Sequence, residues 1–489
     1  MSRTVPAPVG FQADDHKTAL RITESALTQE GLVSLAEFRS WFEKRSRLDV
    51  AQVRRIDLDS LDRWSTDPHT GNIRHESGKF FVVEGLSADV PDSPVPHWTQ
   101  PIINQPEIGI LGILVKEFDG VLHFLLQAKN EPGNAGGVQL SPTVQATRSN
   151  YTGVHGGAAV PYLEYFRATD RHTVVADVLQ SEQGSWFYQK RNRNVVVEVD
   201  RDVPTLDGFR WLTLGQIHRL LAEDDIVNMD SRTVLSCLPF SAVQLAAAFP
   251  AAANGLQASV LRSSSQEEAG RHTTGEILSW VTEARTRNEV HTRQIPLADV
   301  TSWRRTSAAI EHETGLFFRV IGVDVRSGHR EVASWTQPMI EPVGTGIVAF
   351  LVTRFSGVLH ALVHARLEPG YLDVVELAPT VQCTPENYDW LPAASRPRFL
   401  DEVLAADPRQ ILFEAALSEE GGRFYQALNR YLIIELDPDN GAALEAGPDH
   451  RWLTLHQLVG LLRHSHYVNV QARSLVACLH SLSSAPDRP

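Results

Sequence analysis

The feature that most limits what this chain can fold into is an internal duplication. Trp-Thr-Gln-Pro occurs at Trp98–Pro101 and again at Trp335–Pro338, an offset of 237 residues. The same offset carries Glu131-Pro132-Gly133 onto Glu368-Pro369-Gly370, and between Lys129–Tyr151 and Arg366–Tyr388 12 of 23 positions are identical. Small insertions move the offset to 239 upstream, where Trp41 meets Trp280 and Trp64 meets Trp303, and to 241 downstream, where Trp211-Leu-Thr-Leu meets Trp452-Leu-Thr-Leu. Each unit spans roughly 200 residues, far more than the roughly 20–50 of a solenoid repeat, so the chain is two copies of a domain rather than an array.

The organisation this predicts for the 489 residues is a tail at 1–17, a first domain at 18–245, an Ala/Ser-rich linker at 246–271, a second domain at 272–480 and a tail at 481–489. Within each unit a helical pattern (32–44; 276–287) precedes apolar runs around a tight turn, Asp119-Gly120 or Ser356-Gly357, which reads as a hairpin. Strands follow at 186–188 and 195–199. Thr213 with Gln216, and Thr454 with Gln457, have capping-box spacing and open a closing helix. The fold class is α+β, a mixed sheet flanked by helices.

Charge narrows the function. The formal net charge is −14, which disfavours phosphate backbones and anionic membranes, so no nucleic acid and no membrane are expected as partners. The amino terminus lacks an apolar leader, and no run approaches the ~20 apolar residues of a membrane span. Cys237, Cys383 and Cys478 are too scattered for a disulfide framework or a zinc site. A cytoplasmic protein is the expectation, with no metal and no cofactor. All six lysines precede Arg191, so the second copy has no amine base to offer.

The densest polar segment runs from Lys129 to Tyr165, and loops this rich in hydrogen-bonding groups usually carry function. Lys129, Tyr151 and His155 are candidates for a general base or acid, and Arg148 or a backbone amide near Gly156 for holding an oxyanion. Glycines 133, 136 and 137 would let backbone amides approach a phosphate, although a plain turn explains them equally. Trp64 and Trp303 lie beside arginines and suit base stacking, or else sit in the core. Further binding candidates are Ser149, Asn150, Thr152 and Arg193 in the first copy. In the second they are Arg366, Glu376, Asn387, Tyr388 and Arg430.

The copies are unequal. Lys129 becomes Arg366, Arg148 becomes Pro385 and Lys190 becomes Ala427, which favours turnover in the first copy; Glu376 in place of Gln139 is the contrary sign.

Taken together, Trp-Thr-Gln-Pro in both copies, the run Gln139–Tyr151, Lys190-Arg-Asn-Arg-Asn194 and Val-Asn followed by Arg232 resemble the NDP-hexose 2,3-dehydratases of deoxysugar biosynthesis. The resemblance implies a homodimer, two Nudix-like domains per subunit and action on dTDP-4-keto-6-deoxyglucose, with a 3-ketoreductase taking the product onward. The Nudix hydrolase run of glutamates does not follow Gly133 or Gly370, so the magnesium site for pyrophosphate hydrolysis is missing. Two other readings stand beside the lyase: a metal-dependent pyrophosphohydrolase and a non-catalytic nucleotide-sugar-binding subunit.

Overall fold

A computed structural model of the chain describes residues 13–151, 159–240, 255–265, 270–328, 332–437 and 447–484. Each copy is built on a seven-stranded mixed sheet. In the first, the order is Thr173–Ser181, Arg191–Glu198, Gly109–Phe118, Val121–Asn130, Phe209–Thr213, with the short strands Val138–Ser141 and Val144–Ala146 at the far ends of the central pair. Only Arg191–Glu198 on Gly109–Phe118 runs parallel. The second copy repeats this arrangement, with Leu428–Glu435 parallel to Gly346–Phe355. The central strands are buried on both faces, which is why they read as continuous apolar runs. The turn joining the central pair has φ of 47° at Asp119 and 84° at Gly120, and its counterpart 50° at Ser356 and 77° at Gly357, the left-handed pair such a two-residue hairpin requires.

Helices cover these sheets, and among the described residues four α-helices carry complete capping boxes: Ser34 with Glu37, Thr213 with Gln216, Thr273 with Glu276, and Thr454 with Gln457. The predicted linker is not plain linker. Leu256–Ser265 is a helix packed on the second sheet, where Ser263 Oγ donates to Leu359 O and accepts from Leu455 N. Ala13–Leu27 does the same in the first copy through Ser25, Leu122 O and Leu214 N, so the predicted tail ends earlier than residue 17. An apolar face facing a sheet is buried whatever the Ala/Ser content around it, and composition alone hid both helices.

The copies also exchange strands. Ala51–Ile56 of the first pairs with Phe318–Ser327 of the second, and His291–Ile295 of the second pairs with Val82–Asp89 of the first. One apolar core then draws on both copies, joining Leu58, Phe81 and Ile103 to Leu297, Phe318 and Ile340. Domains at 18–245 and 272–480 follow the duplication, while the strand pairing and this core cross between them. Between the closing helices lie two fully buried arginines. Arg232 donates to Val227 O, to Ser418 O of the second copy and to Ser474 Oγ; Arg473 donates to Val468 O, to Ser181 O of the first copy and to Thr233 Oγ1.

Candidate functional site

The exchange brings loops of the second copy against the first sheet. Gly133 N donates to Gly421 O at 2.7 Å, and Gln426 N donates back to Gly133 O at 2.7 Å. A Cβ at 133 would fall 1.7 Å from the Phe424 carbonyl oxygen, so only glycine permits this approach. The phosphate-cradle reading of that glycine gives way to a close crossing of the two copies. Gly136 likewise meets protein, its N–H donating to Asp225.

Beside this crossing opens a cleft of about 210 Å³. The strand Val121–Asn130 delivers Lys129 and the following turn Glu131; Glu182 and Lys190 come from the ends of Thr173–Ser181 and Arg191–Glu198, and Asp230 from the helix Met229–Leu235. The second copy closes the opposite wall with Trp335–Gln337 and with Glu420 to Arg423.

Lys129 Nζ donates to Gln145 O at 3.2 Å and stands 3.6 Å from Glu131 Oε1. Gln145 in turn donates to Glu131 and accepts from Asn228. The second copy reproduces this relay with Asn469, Gln382 and Glu368, but ends it in Arg366, which donates to Glu368 and to Gln382 O and is held fully charged beside Glu368. Lys190 donates to Glu107 O, and burial pulls it down to about 8. Burial lifts the carboxyls: Glu182, opposed by Arg473 and Lys190; Asp230, well up, reinforced by Glu182, Glu131 and Glu420; and Glu420, up to about 7, with Glu131 and Glu182 adding and Arg423 opposing. Glu182 Oε2, Asp230 Oδ1 and Glu420 Oε2 are sealed from solvent and have no hydrogen-bond partner among the described residues. The cleft thus combines one amine that burial makes a better proton acceptor, Lys190, with carboxyls able to give a proton.

The equivalent place in the second copy has lost most of these charges. Ala427 stands for Lys190, Gln471 for Asp230, Gln183 for Glu420 and Trp186 for Arg423. Glu419, the counterpart of Glu182, accepts from Gln183, Asn429, Tyr431 and Gln471. Tyr371, where the first copy has Asn134, lies so close that a Cβ on Gly184 would be 2.6 Å from its ring.

Of the residues singled out from the sequence, Lys129 and Trp64 line this cleft, as does Lys190, one of the losses that set the second copy apart; Glu131, Glu182, Asp230 and Glu420 are not among those candidates. Arg193 points to the opposite face of its strand, where it pairs with Asp177 and donates to Phe166 O; Arg430 pairs with Glu414 in the same way. Arg148 is exposed on the short helix Arg148–Tyr151. Ser149 is buried, its amide and hydroxyl both donating to Glu107. Asn150 and Tyr151 are described in backbone only, and Thr152 and His155 lie outside the described residues. Trp64 lines the cleft, with its indole N–H on Thr336 O of the second copy; Trp303 donates to Thr99 O of the first and packs on Phe318. Asn387 accepts from Phe317 N, and Tyr388 lies partly buried near Arg366. Among the described residues, no group of three or more His, Cys, Asp or Glu is arranged to hold a metal, and no helix is long and apolar enough to cross a membrane.

Glu376 lies on the seam between the copies, fully buried, accepting from Ser181 Oγ at 2.5 Å. Burial pushes it from 4.5 up to about 7; Ser181, Arg473 and Arg285 pull it down and Glu368 pushes it up. The folded state binds this proton more tightly than the unfolded chain, so its contribution makes stability fall as pH rises between about 4.5 and about 7 and stay low above. Glu376→Gln, which installs the residue of position 139, should be more stable than the wild type at alkaline pH by about 2–3 kcal/mol. The advantage should shrink in melts at mildly acidic pH.

A model of the NDP-hexose 2,3-dehydratase family matches residues 35–238 and again 274–479. The chain is 52% identical over 463 residues to a dTDP-4-dehydro-6-deoxy-α-D-glucopyranose 2,3-dehydratase of Saccharopolyspora spinosa, covering 94% of this chain and 95% of that one. It is 50% identical over 479 residues to a protein of the same name from Amycolatopsis orientalis, covering 97% and 96%. A third of that name, from Streptomyces violaceoruber, is 46% identical over 457 residues, covering 92% and 98%.

Proposed function

This chain belongs to the NDP-hexose 2,3-dehydratase family, and we propose that it removes water across C2–C3 of dTDP-4-keto-6-deoxyglucose to give the 3,4-diketo-2,6-dideoxy sugar. The observation that carries the reading to a site is the pairing of amines with proton-holding carboxyls in the first cleft and their replacement in the second copy.

The C3 proton of a 4-keto sugar is acidic because its removal places charge on the C4 oxygen, and the C2 hydroxyl then leaves from the adjacent carbon. Lys190, brought near neutrality by burial, takes the C3 proton. The Lys129 ammonium, oriented by Gln145 O and Glu131, supports the developing C4 oxyanion. Tyr151 and His155 stay further acid–base candidates, with Arg148 for the oxyanion; Ser149, Asn150 and Thr152 are the binding candidates of the same stretch of sequence. The second copy, with Trp303, Arg366, Asn387 and Tyr388, binds nucleotide sugar without converting it. Each mixed sheet with its helices is, on this reading, a Nudix-like domain without the magnesium carboxylates, and the subunit pairs as a cytoplasmic homodimer that passes product to a 3-ketoreductase.

Purified protein incubated with dTDP-4-keto-6-deoxyglucose should yield a product lighter by one water in mass spectrometry. Release of nucleoside monophosphate on adding magnesium would favour the pyrophosphohydrolase instead, and binding without conversion the non-catalytic subunit. Trp64 at the cleft wall is assigned to the nucleobase. Since base–aromatic stacking contributes roughly 1–3 kcal/mol, Trp64→Ala should weaken dTDP binding by about tenfold or more in calorimetry. Unchanged affinity in a folded variant would leave Trp64 a structural role, bonded to Thr336 O and packed on His75 and Phe81.

A further inference from the structure

The first cleft is incomplete without the second copy, and what the second copy brings includes an ionisable group. The loop at 419–424 is pinned by the backbone bonds at Gly133 and by Tyr425 N donating to Ile340 O. It carries Glu420 into the lining of the cleft that also holds Lys129 and Lys190. Glu420 Oε1 accepts the Gly422 amide at 3.0 Å, while Oε2 has no hydrogen-bond partner among the described residues. Glu420 is half-buried as a residue although Oε2 itself is sealed, whereas Glu182 and Asp230 are buried throughout. Its counterpart across the pseudo-two-fold is Gln183, an amide that cannot transfer a proton and that donates to Glu419. At every other charged position of the cleft the first copy supplies its own residue; Glu420 and Arg423 come from the second.

We propose that Glu420, donated by the second copy to the first cleft, is the catalytic acid that protonates the departing C2 hydroxyl. The inference rests on the dehydratase reading. Burial among Glu131, Glu182 and Asp230 favours the protonated carboxyl needed for the task.

The step balances as follows. The Lys190 amine takes the C3 proton, and the C–H electron pair forms the C3–C4 double bond with charge on the C4 oxygen. As that enolate collapses back to the ketone, a C2–C3 double bond forms and the C2–O bond breaks. The departing oxygen takes the Glu420 proton and leaves as water. The resulting C3 enol tautomerises: its hydroxyl proton passes to the Glu420 carboxylate, and the Lys190 ammonium delivers a proton to C2. Both residues end as they began. The duplication then has a catalytic reason to persist, since the half that does not turn over still furnishes the acid.

The test separates proton removal from water loss. Wild type, Glu420→Gln, Glu420→Asp and the mirror substitution Gln183→Glu are assayed with dTDP-4-keto-6-deoxyglucose in deuterium oxide, with folding checked by thermal melts and dTDP affinity by calorimetry. Glu420→Gln should lose about a hundredfold or more in kcat while dTDP affinity changes less than about twofold. Recovered substrate should still exchange its C3 hydrogen for deuterium, because the base is untouched. Glu420→Asp should regain part of the rate, and Gln183→Glu should turn over like the wild type. Glu420→Gln turning over within a few-fold of an active wild type overturns the inference alone. So does loss of C3 exchange together with turnover in a folded, binding-competent variant, which would make Glu420 a positioning residue for the base. A wild type that binds substrate and releases no water overturns the dehydratase reading and this inference with it. If Glu420→Gln fails to fold, Glu420→Asp decides: turnover indifferent to the shortened acid contradicts the proposal.

Discussion

Lys190→Met and Lys129→Ala should each lower kcat by two to four orders of magnitude, the range a positioned proton-transfer group or oxyanion donor supplies. The corresponding changes in the second copy, Arg366→Lys and Glu376→Gln, should leave turnover within a few-fold. The contrast follows from the surroundings. Lys190 is an amine brought near neutrality in a cleft that also holds Asp230 and Glu420, whereas its counterpart Ala427 can move no proton. Arg366 ends the same relay as Lys129, but as a permanently charged fork tied to Glu368. Steady-state kinetics on the four variants, each checked for an intact melt, decides this. Activity lost only on the second-copy changes would move the reaction to the other half of the chain.

The second large effect concerns folding. Arg473→Ala should destabilise the protein by about 3–5 kcal/mol, read as a lower urea midpoint, because removing one member of a buried hydrogen-bonded charge network leaves its acceptors unpaired. The guanidinium has no solvent exposure, and its three bonds go to Val468 O on its own copy and to Thr233 Oγ1 and Ser181 O on the other. Arg473→Lys should recover only part of the loss, since one ammonium cannot reproduce the planar fork. Arg473 also lowers the proton affinity of Glu182 and Glu376, so its removal should leave both carboxyls harder to ionise. A midpoint shift below about 1 kcal/mol would mean that water or a moved side chain satisfies the orphaned carbonyls.

What the sequence made legible was local. The hairpin at Asp119-Gly120 and the capping boxes at Thr213 and Thr454 each follow from a few neighbouring residues, and the structure places them accordingly. The strand exchange was not legible, because nothing in Ala51–Ile56 or His291–Ile295 says which copy's sheet edge it joins. That one non-local fact hid the composite cleft and made Gly133 look like a phosphate loop. Arg193 was readable in hindsight: Asn192 and Asn194 are buried on one face of their strand, so the residue between them points to the other. Lys129 stood out because its segment is polar. Asp230 and Glu420 did not, since one lies in the first turn of a short, fully buried helix and the other sits in a loop nearly 300 residues from Lys129. The signal that would have found them was a charge-by-charge comparison of the copies, in which Asp230 faces Gln471 and Glu420 faces Gln183.

The central claim is that the sugar is converted in the first cleft, between residues of both copies, and a crystal structure of the protein with a bound dTDP-sugar tests it most directly. The expected density places the hexose ring among Lys129, Lys190 and Glu420, with the base toward Trp64. A hexose found only beside Arg366 and Tyr388, with the first cleft empty at saturating ligand, would contradict the account.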